Sequence, residues 1–329
     1  MRMEYVQLGR TGLTTSRLCF GTWRFGKETD GVVETDRQQA HQLLDAAWDA
    51  GINFIDTANS YGLGNSETYI GEWLADYDRE DFVIASKVLW AHYGTSIDAM
   101  GRSRGPIRRK GVSRKGIRAE LAGTLDRLDT DYLDVYYVHT WDPELPLRET
   151  LRTFDDLVAD GLVHTIAVSN LAGWQLMKAC WESDVNGWER FELVQPRYNA
   201  IASDPSDGLL DVCADQDVAV CPYSPLAGGF LTGKYTPDGD APAGSRGDLS
   251  GWADRFDDRD WAVLDAVVDV AEEVDATPAQ VALRWLIDGE VQTIPIVGAR
   301  TVEQLHENVG ATELSLTNEQ RDRISAAGT

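Results

Sequence analysis

Tyr132-Leu133-Asp134-Val135-Tyr136-Tyr137-Val138-His139 is a nearly unbroken apolar run that ends on a histidine. Amphipathic stretches flank it. Ahead lies Ser113–Leu128, which opens on a Ser cap and puts Ile117, Leu121, Leu125 and Leu128 on one face. Behind lies Pro146–Asp160, which stops before Gly161. A strand that is apolar on both faces, set between two such helices, belongs in a parallel sheet covered by helices.

The same alternation continues along the chain. The other strand candidates are Arg17–Gly21, Asn53–Asp56, Phe82–Lys87, His164–Ser169, Leu193–Gln195, Ala219–Tyr223 and Thr293–Ile296. Further helical stretches are Asp36–Ala50, Asp260–Val274, Thr277–Asp288, Val302–Val309 and Asn318–Ala326. Thr277 caps its helix with Pro278 in the first position, and Thr317 caps the last one. About eight strands with no domain-scale linker predict an α/β fold, one (β/α)8 barrel domain over residues 1–329. The run Val6–Leu13 predicts an N-terminal β-hairpin around Gly9 and Gly12. Two stretches break the rhythm: Trp90–Lys110, rich in Gly, Arg and Ser, and Ala227–Asp257, rich in Gly, Pro and Asp. Both follow C-terminal strand ends, where barrel enzymes build their sites, so they are expected to be long loops on that face.

Polar residues gather at those strand ends. The second strand ends in Asp56, with Tyr61 in the loop beyond it; the third ends in Lys87 and the fourth in His139. A carbonyl that accepts hydride at carbon needs a proton at oxygen. A tyrosine with a pKa near 10 is a poor acid at neutral pH, and an ammonium beside it lowers that value. Lys87 is expected to do this for Tyr61, with Asp56 holding Lys87 charged and His139 bonding the carbonyl oxygen. Taken singly, Asp56 reads as a helix cap or a structural ion-pair partner, Tyr61 as a packing aromatic and His139 as a satisfied core histidine; their gathering on one rim is what points to a site.

The motif Asn53-Phe54-Ile55-Asp56-Thr57-Ala58-Asn59-Ser60-Tyr61-Gly62 resembles that of the aldo-keto reductases. So do the segment ending at His139, Ala167-Val168-Ser169-Asn170, Val194-Gln195-Pro196-Arg197-Tyr198-Asn199, Cys221-Pro222-Tyr223-Ser224-Pro225-Leu226 and Ile294-Pro295-Ile296-Val297-Gly298-Ala299-Arg300. The resemblance spans nearly the whole chain. It is nearest the aryl-alcohol-dehydrogenase-like branch, which is related to the potassium-channel β-subunits. It implies Tyr61 as proton donor, with Asp56, Lys87 and His139 as partners. It implies a nicotinamide cofactor whose carboxamide meets Ser169, Asn170 and Gln195 and whose ring stacks on Tyr223. Ser224, Leu226, Gly228 and Lys234 would take the pyrophosphate. Gly298, Arg300, Gln304 and Asn308 would surround the adenosine end, with Gly21 and Thr22 approaching from the first strand.

The residues also speak to the cofactor directly. No GxGxxG follows the first strand, so a Rossmann site is not indicated. Gly298-Ala299-Arg300 precedes a helix, whose N-terminus suits phosphate. The Arg300 fork suits a 2′-phosphate, which favours NADPH (NADP+) over NADH; pairing of Arg300 with surface carboxylates is the alternative. Trp23, Trp90, His92 and Trp141 follow strand ends and are candidates to line the pocket of a flat carbonyl or alcohol substrate, or else simply to seal the barrel mouth. The basic run Arg102–Lys115 reads either as an attractor for an anionic substrate or as a flap paired with acidic neighbours.

Lys+Arg 30 against Asp+Glu 54 gives a net charge of −24, which repels phosphate backbones and anionic lipid and so excludes nucleic-acid and membrane partners. Lysine is scarce and Asp outnumbers Glu. This reads as a halophile surface whose repulsion high salt must screen, with an ordinary acidic bacterial enzyme as the alternative. Four scattered cysteines without a CxxC pair point to reduced, buried thiols, no metal site and a cytoplasmic location. The N-terminus shows no apolar signal region, and no apolar run reaches ~18 residues. The expected activity is NADPH-dependent, reversible reduction of an aldehyde or ketone. Alternatives are a cofactor-sensing regulatory protein with slow turnover, and a barrel hydrolase with paired carboxylates. A homo-oligomer is left open.

Overall fold

A computed structural model describes residues 3–29, 31–88, 112–236 and 255–328. Eight parallel strands follow one another in chain order around a barrel: β1 (Cys19–Gly21), β2 (Phe54–Asp56), β3 (Val83–Val88), β4 (Leu133–Val138), β5 (Val163–Ser169), β6 (Leu193–Gln195), β7 (Ala219–Val220) and β8 (Ile296–Val297). The seam closes on both sides of β8. Ile296 pairs with Cys19 of β1, and Ile294 N donates to Val220 O of β7 at 2.8 Å. The expected (β/α)8 barrel is the observed fold.

Two strands are shorter or shifted relative to the sequence expectation, and proline is the reason. Pro222 and Pro295 have no N–H to donate to a ladder. β7 therefore stops at Val220, and β8 begins after Pro295. Their carbonyls still bridge the seam, Pro222 O accepting from Ile296 N and Pro295 O from Cys19 N, both at 3.0 Å.

The helices are α1 (Arg37–Asp49), α2 (Asn65–Leu74), α3 (Arg114–Leu128), α4 (Leu147–Ala159), α5 (Gly173–Asn186), α6 (Leu209–Gln216), α7 (Asp258–Glu273), α8 (Pro278–Ile287), α9 (Val302–Val309) and α10 (Asn318–Ala327). Asp36, Ser113, Thr277, Thr301 and Thr317 each cap a helix by accepting an N–H from its first turn. α2, α5 and α6 are absent from the sequence reading. Their N-cap positions are Gly64, Ala172 and Gly208, which have no side chain to cap with.

The pleat of each strand decides what the barrel holds. In β3, Ile84 and Val88 face the helices, while Val83 and Ala85 lie in the interior cluster with Cys19, Phe54, Val135 and Ala167. The N-terminal hairpin pairs Tyr5–Gln7 with Thr14–Ser16, and its turn carries fully buried Leu8 into that cluster as a plug. Two residues beyond the last apolar interior layer come Gly21, Asp56, Lys87, His139, Ser169 and Gln195, so the same alternation aims all six inward at the C-terminal mouth. Trp90, His92 and Arg102–Gly111 of the basic run lie outside the described residues, as does 237–254 of the second long loop.

Candidate active site

Lys87 is fully buried, and its ammonium is satisfied by three oxygens. Nζ donates to Asp56 Oδ2 at 2.5 Å, to Thr57 O at 2.8 Å and to Tyr61 Oη at 3.1 Å. An unpaired ammonium at this depth would cost far more than a fold can spare. Burial works against the Lys87 charge, but Asp56 and Tyr61 outweigh it and raise its pKa above the ordinary lysine value. Asp56 is held on its other side by Gln195, whose Nε2 donates to Oδ1 at 2.8 Å. Burial raises the Asp56 carboxyl against the pull of Lys87 and Gln195.

Tyr61 reaches the lysine from a tight turn, Tyr61–Gly64. Gly62 makes that turn possible: its φ is 55°, and a Cβ there would collide with the carbonyl of Phe25. The expectation that Lys87 leaves Tyr61 more acidic than an ordinary phenol is corrected. Burial dominates and raises the Tyr61 pKa; the ammonium opposes that rise and Asp56 adds to it. The hydroxyl thus stays protonated through the neutral range, with a cation ready to receive the phenolate.

His139 stands edge-on to Tyr61, ring centroids 6.0 Å apart at 78°. Burial, and then the Lys87 charge, lower its pKa to about 3, so the imidazole is neutral at working pH. Its Nδ1 is buried and has no hydrogen-bond partner among the described residues.

The rim from β5 to β7 carries a second group. Ser169 Oγ donates to Gln195 O at 2.7 Å, and Asn170 Nδ2 donates to Ser169 Oγ at 3.0 Å and to His139 O at 2.9 Å. Tyr223 Oη donates to Asn170 Oδ1 at 3.0 Å, which fixes a half-exposed ring beside these amides. Beyond it Ser224 and Gly228 have φ of 53° and 71°, Leu226 is half-buried, and exposed Lys234 stands with Nζ 5.1 Å from the Tyr235 ring. Across the seam Gly298 is exposed, and a Cβ there would meet only Gly21 O, at 3.7 Å. Gly21 itself admits no Cβ, since Ile296 Cγ2 lies 2.6 Å from where one would sit. Arg300 N donates to Gln304 Oε1 at 2.9 Å in front of α9, and Asn308 lies on the buried face of that helix.

This donor set fits a nicotinamide dinucleotide. An amide acceptor and hydroxyl suit a carboxamide, the Tyr223 ring suits a flat heterocycle, and Lys234 with Arg300 supplies cations for phosphate. Several expected contacts are already engaged: the Ser169 hydroxyl proton goes to Gln195 O and the Asn170 Nδ2 protons to Ser169 Oγ and His139 O, which leaves those two side chains their oxygens to accept from a ligand. One N–H of the Gln195 amide goes to Asp56. Thr22 is fully buried, and its hydroxyl donates to Asp56 O at 2.9 Å and meets Ser66 Oγ at 2.7 Å, so it braces the strand end rather than facing a ligand. Of the pocket candidates, Trp23 is 43% exposed with Lys27 Nζ 3.6 Å above its ring. Trp141 is partly buried, edge-on to Trp174 at 6.3 Å.

A layer behind the site went unread in the sequence. Ser66 also bonds Thr57 Oγ1 at 2.8 Å. Buried Glu67 of α2 accepts from Ser86 Oγ at 2.6 Å and from Arg127 Nε at 2.7 Å. Buried Glu120 of α3 accepts from Asn59 Nδ2 at 3.0 Å. Ser86 adjoins Lys87 and Asn59 stands two residues before Tyr61, so α2 and α3 brace the segments that carry both side chains. Glu120 left a readable sign: it falls between Ile117 and Thr124 on the buried face of α3, where a carboxylate needs a partner.

The chain is similar to several known proteins along nearly its whole length. YrpG, an oxidoreductase of Bacillus subtilis, is 38% identical over 96% of this chain and 93% of its own. A rice protein named as a voltage-gated potassium channel subunit beta is 32% identical over 98% of this chain and 96% of its own. An aryl-alcohol dehydrogenase of Pestalotiopsis microspora is 31% identical over 94% and 78%. The crystal structure of the thermostable aldo-keto reductase Tm1743 superposes with a TM-score of 0.76 at 31% identity, covering 99% of this chain and all of that one. Residues 17–328 match the Aldo/keto reductase family, whose members generally use nicotinamide cofactors, and the chain belongs to that family.

Proposed function

We propose that this chain is an NADPH-dependent reductase that converts an aldehyde or ketone to an alcohol, reversibly, in a salt-rich cytoplasm. The observation that carries the reading is the Tyr61 hydroxyl 3.1 Å from an ammonium that Asp56 and Thr57 already hold in place. The nicotinamide, when bound, supplies the hydride to the carbonyl carbon. Tyr61 gives its proton to the carbonyl oxygen, and Lys87 stabilises the phenolate left behind. Neutral His139 donates a hydrogen bond to the same oxygen and fixes the carbonyl in line. In the alcohol direction each transfer reverses, and the phenolate takes the proton. Ser169, Asn170 and Tyr223 would orient the nicotinamide, with Ser224, Leu226, Gly228 and Lys234 along the pyrophosphate. Gly298, Arg300, Gln304 and Asn308 would take the adenosine end, and Arg300 favours a 2′-phosphate.

Trp23 and Trp141 offer flat apolar surface, and a relative named for aryl alcohols makes aromatic aldehydes the first substrates to try. Tyr61→Phe is expected to bind NADPH as tightly as the parent by fluorescence titration and to lose about 10²–10⁴ in turnover. Normal turnover in that variant would remove Tyr61 from the mechanism. A second reading, a regulatory cofactor sensor, draws on the rice relative's name. It would show as tight NADPH binding with negligible turnover across a broad carbonyl panel.

A further inference from the structure

The helix α5 has two apolar faces. One, formed by Leu176, Ala179 and Cys180, is buried against the barrel. The other points to solvent. Trp174 is 59% exposed, Met177 36%, Trp181 58% and Val185 63%. Their spacing of three, four and four residues keeps all four on a single stripe. Among the described residues, α5 holds four of the nine large apolar side chains that the fold leaves exposed. On a chain of net charge −24 such a row has to be explained.

We propose that α5 is the face through which two copies of this chain pair, each laying its Trp174–Met177–Trp181–Val185 stripe against the other about a two-fold axis. Size argues for it. At up to about 250 Å² per tryptophan, the two indoles leave roughly 300 Å² in water. With Met177 and Val185 the patch reaches roughly 450 Å², a little over half of the ~800 Å² that each partner gives to a stable interface. Trp141 extends it, since its ring packs edge-on against Trp174.

Symmetry argues for a second copy as the occupant. A two-fold contact needs one self-complementary patch, and two antiparallel copies of this straight row set Trp174 of each near Val185 of the other. The four apolar side chains carry no charge; exposed Lys178 and Asp184 of the same helix border them, Asp184 paired with Arg190 at 3.5 Å, and salt screens the acidic surface beyond. Pairing through α5 should therefore tighten as KCl rises, whereas an assembly held by ion pairs would loosen.

Sedimentation equilibrium of the full chain, over a protein concentration series in about 0.1 M and about 1 M KCl, tests this. The expected result is a dimer, tighter at the higher salt. Trp181→Glu, and separately Val185→Glu, should raise its dissociation constant about 30-fold or more, the size of an interface hot spot. Both variants should keep their circular dichroism and their NADPH-linked turnover. Val32→Glu, at an equally exposed position away from α5, should leave the dimer unchanged. A monomer under every condition overturns the proposal, as does a dimer that neither α5 substitution weakens.

Discussion

The two ends of the barrel are made by the same strands and the same two-residue step, yet they behave as opposites. At the N-terminal end the inward positions are Phe54, Val83 and Val135, and Leu8 closes the bottom from the hairpin. One or two steps up, the inward positions become Asp56, Lys87 and His139. The lower end is what makes the upper end chemically useful. A dry apolar layer beneath Lys87 denies its ammonium any solvent, so the charge must be met by Asp56, Thr57 and Tyr61. A wet barrel would leave the same side chains as a weak surface cluster.

Removing the ammonium is the most direct way to break that contrast. Lys87→Met should lower turnover by about 10²–10⁴ through loss of support for the Tyr61 phenolate. It should also cost about 3–5 kcal/mol of stability, because Asp56 is left buried without its partner. Steady-state kinetics and urea melts at fixed KCl check both, and a variant with intact turnover would sever Lys87 from the chemistry. At the other end, Leu8→Ala should cost about 2–5 kcal/mol in the same melts, as a cavity opens under the barrel. Its turnover per folded molecule should stay within about two-fold of the parent, since no reacting group moves. A collapse of turnover there would mean the plug sets the geometry of the mouth.

The smallest expected effect is in the pH profile, and it sharpens the contrast rather than breaking it. With the imidazole of His139 lowered to about 3, carbonyl reduction should show no acid limb near the ordinary histidine value. Burial raises the Tyr61 pKa, and the protonated form is the acid, so reduction should hold through neutral pH and fall only on the alkaline side. Alcohol oxidation needs the phenolate and should gain over that same alkaline range. A break in the reduction rate near pH 6.5 would show His139 titrating during turnover.

The barrel was legible because its signals are local. Apolar strands such as Val83–Val88 stand out beside helices with caps at Ser113 or Thr277, and those elements fall within a few residues of their expected bounds. α2, α5 and α6 went unread because each starts at a residue without a capping side chain. Asp56, Lys87 and His139 were visible as polar ends of apolar runs. Their partners were not, because partnership depends on which strands lie side by side. Nothing near Gln195 in sequence points to Asp56, and nothing near Thr22 points to Ser66. The pKa of Tyr61 was misjudged for a related reason: sequence shows the neighbouring cation but not the depth of burial, and depth wins.

The closing seam has a consequence for how the protein is made. Asp56, Tyr61 and Lys87 emerge early from the ribosome and can meet as soon as β2 and β3 pair. Cys19 must wait for Ile296, near the end of the chain, before its strand has neighbours on both sides. Throughout that interval a nascent molecule carries a bare sheet edge, the feature that lets half-made chains stick to one another. The chain's net charge of −24 would oppose such contact between unfinished copies.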